Sequence, residues 1–530
     1  MNTQQLSLPP QSDSSKAAMQ EVFTLKRRGE HELARNKANQ LLVQFPQCIA
    51  SLHLNYQLAM AESNFTGAES HLSAALNILP DHPVLLLGQA QLSLSRYQYA
   101  AAVKLAEKVA AIYAGADTTF LAAISKIIMQ AEQPALAIPV YQRMLAVEPD
   151  NTHVKHQLAL CHFFTNQPQK AYTLLDEVIT KTPNNAGAIH LRSALQTYTD
   201  KHNHIDNLKR LVTDASGQHP AIYYALAKEL EDIADYKESF AMLKQGAALM
   251  RKQLSYNEAA ELKSIADIIK STANITVDSV AQDNSGPIFI VGMPRTGTTL
   301  VERVLTQHDD VYSVGELSLF PQLLASMAQQ YLTQHKSVGS LHDAALQLDF
   351  AELGRRYTAA VAEISGGKSY TLDKLPVNFL YCGFIKKALP NARIIHLSRN
   401  AMDSCYAIFK TLFINAYSFS YDLDELANYY ITYKNIMAHW HEVMPGMILD
   451  IHYEDMVNDA AETTKRLVQW CGLTYTPELL EFHKADSVST TASAAQVRKP
   501  IYTSSVEKWR NVETELAALQ FKLKQAGVVV

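Results

Sequence analysis

At 530 residues the chain has length for about three domains of ~150 residues each, and for more than one buried core. Its 47 basic and 52 acidic residues leave a formal net charge of −5, and residues 286–530 alone hold 22 basic against 25 acidic, so neither half is a polycation built for nucleic-acid phosphates. Hydrophobic residues at 48%, charged residues at 19% and 19 each of Gly and Pro exclude a disordered chain and point to a folded, helix-leaning one.

The start of the chain, Met1 to Lys16, is polar and lacks the basic start and apolar core of a secretory leader. No apolar run approaches the ~20 residues needed to span a bilayer. Five cysteines, Cys48, Cys161, Cys382, Cys405 and Cys471, are odd in number and far apart, which gives no support to a disulfide framework or a zinc site. The expectation is a cytoplasmic protein in a reducing compartment, with neither nucleic acid nor membrane as partner.

Beyond a polar tail over 1–17, the chain repeats. Prolines close helical stretches at Pro46, Pro80, Pro149 and Pro183, at separations of 34, 69 and 34 residues, with Ala114 where a further proline would fall. Small residues keep the same register at Ala34, Ala68, Ala102, Ala137, Ala171 and Ser239. Two antiparallel helices per unit need a small side chain where they cross, and a proline stops the second helix before the next unit begins. Tyr141–Pro149 and Tyr172–Pro183 carry apolar residues at i, i+3, i+4 and i+7, as a helix with one buried face requires. The pattern resembles tetratricopeptide repeats over about 18–252. One unit departs from it, because Ile205 occupies the small-residue slot and predicts a distorted or lengthened repeat. The concave face of such an α-solenoid fits recognition of a protein or peptide acceptor, and it fits pairing into a homodimer equally well.

A connecting segment over 253–285 ends in the polar stretch AQDNSGP. Pro287–Gly292 then reads as a buried strand, the next residues as a glycine-containing turn, and Leu300–Gln307 as a helix. A strand, glycine loop and helix N-terminus in this order turn backbone N–H groups toward an anion, here from Thr296, Gly297, Thr298 and Thr299, with Arg295 adding fixed charge. A nucleoside triphosphatase loop of the form G-x-x-x-x-G-K-S/T would place lysine at 298, where this chain has Thr298. Loss of that lysine counts against ATP hydrolysis with Mg²⁺.

The stretch Pro294-Arg-Thr-Gly-Thr-Thr299 resembles the first signature of the sulfotransferase family, which uses 3′-phosphoadenosine 5′-phosphosulfate (PAPS) as donor and no metal. The likeness runs through 286–530 and is strongest to the tyrosylprotein branch. It implies a P-loop-like α/β domain with a mostly parallel sheet. In VYSVGEL the Gly-Glu pair makes Glu316 the matching general base, and a carboxylate near an anion loop suits that work through nearby negative charge and burial. Lys374 in TLDKLP matches the family's lysine and would stabilise charge as the S–O bond breaks; outside that pattern it reads as a surface lysine paired with Asp373.

Ala392–Ser398 reads as a second buried strand leading into Arg399-Asn-Ala-Met-Asp403, similar to the family's 3′-phosphate segment. Arg399 would grip the phosphate, and Asp403 would cap or order the turn. The usual proline is Ala401, and the serine common eight residues after the arginine is Ala407, leaving Ser404 as a substitute. His396 reads as a core histidine. Met447–Met456 reads as a further strand whose His-Tyr-Glu-Asp run is structural. The resemblance makes Arg498 and Lys499, in VRKP nine residues before Trp509 counted from Pro500, candidates for the donor's phosphates. The reaction this implies is sulfuryl transfer from PAPS to a hydroxyl, with peptide tyrosine, saccharide, lipid and small molecule all open as acceptor. A P-loop kinase or hydrolase, and a repeat scaffold with a decayed transferase domain, stand as alternatives.

Overall fold

The recurring small residues are buried where helices cross. In the computed structural model, which describes residues 6–8, 13–214, 218–277, 286–336, 338–413, 416–484 and 500–530, Ala34, Ala68, Ala102, Ala137 and Ala171 are fully buried and Ser239 is nearly so. The chain divides into two compact units, Met1–His162 and Phe163–Val530.

The first unit is a run of helix pairs: Asp13–Arg27 with His31–Gln44, Ile49–Ala61 with Phe65–Ile78, Pro83–Ser95 with Tyr99–Ile112, and Thr118–Gln130 with Pro134–Val147. Its first helix begins inside the stretch read from sequence as a polar tail. A second periodicity joins the one carried by alanine. Gly29, Ser63, Tyr97, Glu132, Asn166 and Ala234, each five residues before a small crossing residue, all have positive φ. The turn between paired helices therefore needs a left-handed residue, although the side chains there share no chemistry.

The second unit opens with Pro168–Lys181 and the departure signalled by Ile205. The flanking helices shrink to Ala186–Ala194 and Ile205–Thr213, nine residues each. Ile205 is the first residue of its helix, whereas Ala171 lies one turn inside its own, so the isoleucine avoids the tightest crossing. Glu229 pins this irregular turn from beneath: fully buried, it accepts from Ser193 Oγ at 2.6 Å and the His204 backbone N at 2.6 Å, with His204 Nδ1 at 3.1 Å. Burial by itself would raise the Glu229 carboxyl, but the bonds from His204 and Ser193 outweigh it and the net shift is downward. A depressed carboxyl stabilises the fold above its unfolded pKa and loses that contribution as pH falls through the folded value. Glu229→Ala is expected to cost about 2 kcal/mol by urea unfolding at neutral pH, with the gap to wild type closing under acid conditions.

Within the former connecting segment, Glu258–Ser271 is a helix capped by Asn257, and residues 278–285 lie outside the described ones. Five strands follow: β1 (Ile288–Gly292), β2 (Val311–Gly315), β3 (Tyr370–Asp373), β4 (Arg393–Ser398) and β5 (Ile448–His452). They pair in parallel in the order β2-β3-β1-β4-β5. Helices cover both faces, which is why β1 reads as a continuous apolar run. Ile288 and Ile290 pack with Val301, Val304 and Leu467 on one side, while Phe289 meets the rings of Phe320 and Tyr357 on the other. β2 and β3 lie outside the strands expected from sequence, and β5 is shorter than the strand expected over Met447–Met456, because Tyr453–Asn458 is already helical.

Candidate active site

Each strand of the parallel sheet delivers a candidate group just past its C-terminal end, the edge where open α/β sheets bind ligands. After β1 the chain turns through residues 293–297 into the helix Thr298–Leu305. Gly292 has φ +149, and a Cβ there would run into the Leu397 carbonyl oxygen of β4; Gly297 has φ +100, and a Cβ there would lie 2.6 Å from the Tyr453 ring. Both positions therefore exclude larger residues. Arg295 is itself left-handed, at φ 67. Thr296 is buried and folds its hydroxyl back onto the Met293 carbonyl at 2.7 Å, fixing the loop, while Thr298 and Thr299 are buried at the helix start.

Arg295, Gly297, Thr299 and Arg399 line one cavity together with Tyr453 and Ser505. Burial, and then the neighbouring Arg399 charge, lower the Arg295 guanidinium to about 10. Two cations driven together in this way are stabilised by an anion. Arg399 follows β4 directly; its Nη1 donates to the Arg295 carbonyl at 3.2 Å and its Nη2 to the Ser505 carbonyl, and its guanidinium stacks 4.8 Å from the Tyr453 ring centroid. Its buried Nε has no hydrogen-bond partner among the described residues.

The helix cap after β4 belongs to Asn400, whose side chain accepts from Met402 N and Asp403 N, and not to Asp403. Asp403 instead accepts from Glu507 N at 2.6 Å and Trp509 N at 3.2 Å, fastening the C-terminal turn against the cavity. Ser404 is fully buried and bonds the Arg399 carbonyl at 3.4 Å; Ala407, not Ser404, lines the cavity. Arg498 and Lys499 lie outside the described residues.

Register brings the other two candidates together. Gly315 on β2 pairs with Asp373 on β3, and Lys374 N continues the ladder to the Gly315 carbonyl at 3.0 Å. Glu316 and Lys374 are the next residues on neighbouring strands, and their side chains form a short ion pair. Lys374 is 0% exposed and has Glu302 Oε2 at 3.6 Å as a second partner, so it is not a surface lysine. Asp373 accepts from Tyr357 OH at 2.9 Å and Asn378 Nδ2 at 3.2 Å. The charged neighbour of Glu316 is thus an ammonium, where the sequence reading expected negative charge. The Glu316 charge also acts on Arg295, which ties the pair electrostatically to the cavity.

Residues 287–477 match the family model described as "Sulfotransferase family", and residues 129–195 match "Tetratricopeptide repeat". Tetratricopeptide repeats here precede a sulfotransferase-family domain. An uncharacterized protein of Aquifex aeolicus is 33% identical over 308 residues, 55% of this chain, and the chain spans 40% of that protein's length. Protein-tyrosine sulfotransferase 1 of Danio rerio is 22% identical over 290 residues, covering 50% of this chain and 79% of the fish protein. Among solved structures, the sulfotransferase domain of the Synechococcus PCC 7002 olefin synthase aligns with 47% of this chain and 96% of its own at 19% identity, with a TM-score of 0.34.

Several residues beyond the motif candidates belong to the site. Tyr453, in the run that the sequence marks as structural, forms cavity wall and hydrogen-bonds Ser505 at 2.5 Å, while Glu454 accepts from Asn400 N at 2.9 Å. Lys410 and Lys508 also line the cavity; the adjacency of Lys508 to Trp509 was the one local signal available. Glu302 reaches Lys374 from the helix after the loop, with Ser313 Oγ donating to it at 2.5 Å. His396 is a core residue, its Nδ1 2.6 Å from Asp450 and its Nε2 on Tyr433 OH. His396, Asp450 and His441 have ligand atoms within 4.8 Å of one another, but both ring nitrogens of His396 are already engaged by protein groups. No helix among the described residues is long and apolar enough to cross a membrane.

Proposed function

We propose that this chain transfers the sulfuryl group of PAPS to an acceptor hydroxyl, with Arg295, the 296–299 loop and Arg399 holding the donor's anionic groups. The observation that carries the reading is the Glu316–Lys374 pair just past the ends of neighbouring strands, on the same C-terminal edge of the parallel sheet as the cavity lined by Arg295 and Arg399. The acceptor oxygen attacks sulfur as its proton passes to the Glu316 carboxylate; the bond from sulfur to the bridging phosphate oxygen breaks, and 3′-phosphoadenosine 5′-phosphate leaves with the electron pair. Lys374 offsets the charge that grows on that bridge. The Arg399 Nε, which has no hydrogen-bond partner among the described residues, supplies a donor fitted to a phosphate oxygen.

A peptide tyrosine is the acceptor we favour, on the strength of the tyrosine sulfotransferases among the relatives and of repeats suited to holding a polypeptide. The five cysteines are buried thiols, which supports a reducing compartment such as the cytoplasm. Calorimetric titration with 3′-phosphoadenosine 5′-phosphate, without metal and with ATP as comparison, tests the donor site. Tight binding that ATP cannot match is the expected result; equal or stronger Mg²⁺-dependent ATP binding would point to the kinase alternative. Arg399→Ala is expected to weaken 3′-phosphoadenosine 5′-phosphate binding about tenfold or more in the same titration. Unchanged affinity would remove Arg399 from the donor site.

A further inference from the structure

One wall of the cavity is charged by a residue from the helical part of the second unit. The helix Pro220–Asp232 lies against the helix Ala401–Phe409, with Tyr224 OH donating to the Phe409 carbonyl at 3.1 Å. From it Glu231 reaches Lys410, whose Nζ is 2.8 Å from Oε1 and 3.0 Å from Oε2, and Lys508, whose Nζ is 2.8 Å from Oε1. Both lysines line the cavity beside Arg295 and Arg399.

An ammonium has three N–H groups. Lys410 directs two bonds at Glu231 and Lys508 one, which leaves capacity on both for a second anion. One carboxylate against two ammonium groups leaves a net positive charge on the cluster. The carboxylate that itself lines the cavity, Asp403, accepts from two backbone N–H groups and lies 3.9 Å from Arg399 Nη2, so it is turned to the guanidinium and the backbone. Burial by itself would raise the Glu231 carboxyl, but Lys410 and Lys508 bring it down to about 2, which favours its ionised form.

Resting on the donor reading above, we propose that Glu231 is a positioning residue that shares Lys410 and Lys508 with the donor, so that the two ammonium groups pass part of their hydrogen bonding from its carboxylate to the donor's phosphate oxygens. Glu231 sets where the ammonium groups point, and it also competes for them. A carboxylate in hydrogen-bond contact with both lysines opposes the arrival of any other anion there. A purely architectural acid would make no such demand: removing it would loosen the fold and leave affinity unchanged or weaker.

The test is calorimetric titration of the full chain with 3′-phosphoadenosine 5′-phosphate and, separately, with inorganic phosphate as a probe lacking the nucleoside. Glu231→Gln is expected to tighten 3′-phosphoadenosine 5′-phosphate binding at least about threefold, Glu231→Asp to stay near wild type, and the tightening to vanish in a Lys410→Met/Lys508→Met background. Equal or weaker binding by Glu231→Gln, or tightening that survives loss of both lysines, would overturn the proposal while leaving the donor reading in place. If the wild type binds phosphate with the same dependence on Glu231 but does not bind the nucleotide, the sharing stands and the donor reading falls; if it binds neither, both fall. Should Glu231→Gln fail to fold, Lys508→Met keeps the Glu231–Lys410 pair, and its affinity should drop roughly tenfold, with an unchanged value overturning the proposal.

Discussion

Replacing Glu316 with alanine is expected to lower sulfuryl transfer by about a hundredfold or more, while affinity for 3′-phosphoadenosine 5′-phosphate stays within about twofold of wild type. The split follows from geometry. Glu316 stands at the end of β2, outside the set of residues that line the anion cavity, so the donor keeps its contacts. Lys374 keeps a carboxylate partner in Glu302 at 3.6 Å, so the variant does not strand a buried ammonium. Steady-state turnover alongside calorimetry reads both halves. Near-normal turnover would place the base elsewhere, whereas loss of donor binding would mean that Glu316 shapes the cavity.

Lys374→Ala should be the more damaging change, because it leaves Glu302 and Glu316 facing each other with the charge between them removed. Breaking a buried ion pair from one side costs about 3 kcal/mol or more, and loss of charge stabilisation at the breaking bond should lower kcat by at least about a hundredfold. The two effects separate in a double variant. Adding Glu302→Gln removes one of the opposed carboxylates and should recover part of the stability by urea unfolding without recovering turnover. Recovery of turnover together with stability would show that Lys374 serves the fold alone.

The repeat period, the anion loop, and β1 and β4 were legible because each rests on residues whose types are forced. Alanine fills a tight crossing, glycine tolerates positive φ, and an apolar run marks a strand covered on both faces. The left-handed turn of each repeat was not legible, since Gly29, Ser63, Tyr97, Glu132, Asn166 and Ala234 have only their backbone in common. Glu316 and Lys374 were found singly through motifs, but their pairing depends on the register of β2 against β3, two short strands with partly polar faces. Glu231 and Lys508 stand 277 residues apart, and nothing local in either segment signals the other. Arg399 was visible as a cation after a strand; that it would bond the Arg295 and Ser505 carbonyls was not.

Because every strand of the parallel sheet ends on a residue of the site or its wall, no fragment of the second unit carries half an active site. Parallel strands joined by long crossovers are late to assemble, since each contact must first close a large loop. Ligand recognition by this architecture is therefore a reporter of completed folding: the nucleotide should stabilise the sheet as one cooperative body, and truncations on either side of it should lose binding in a single step.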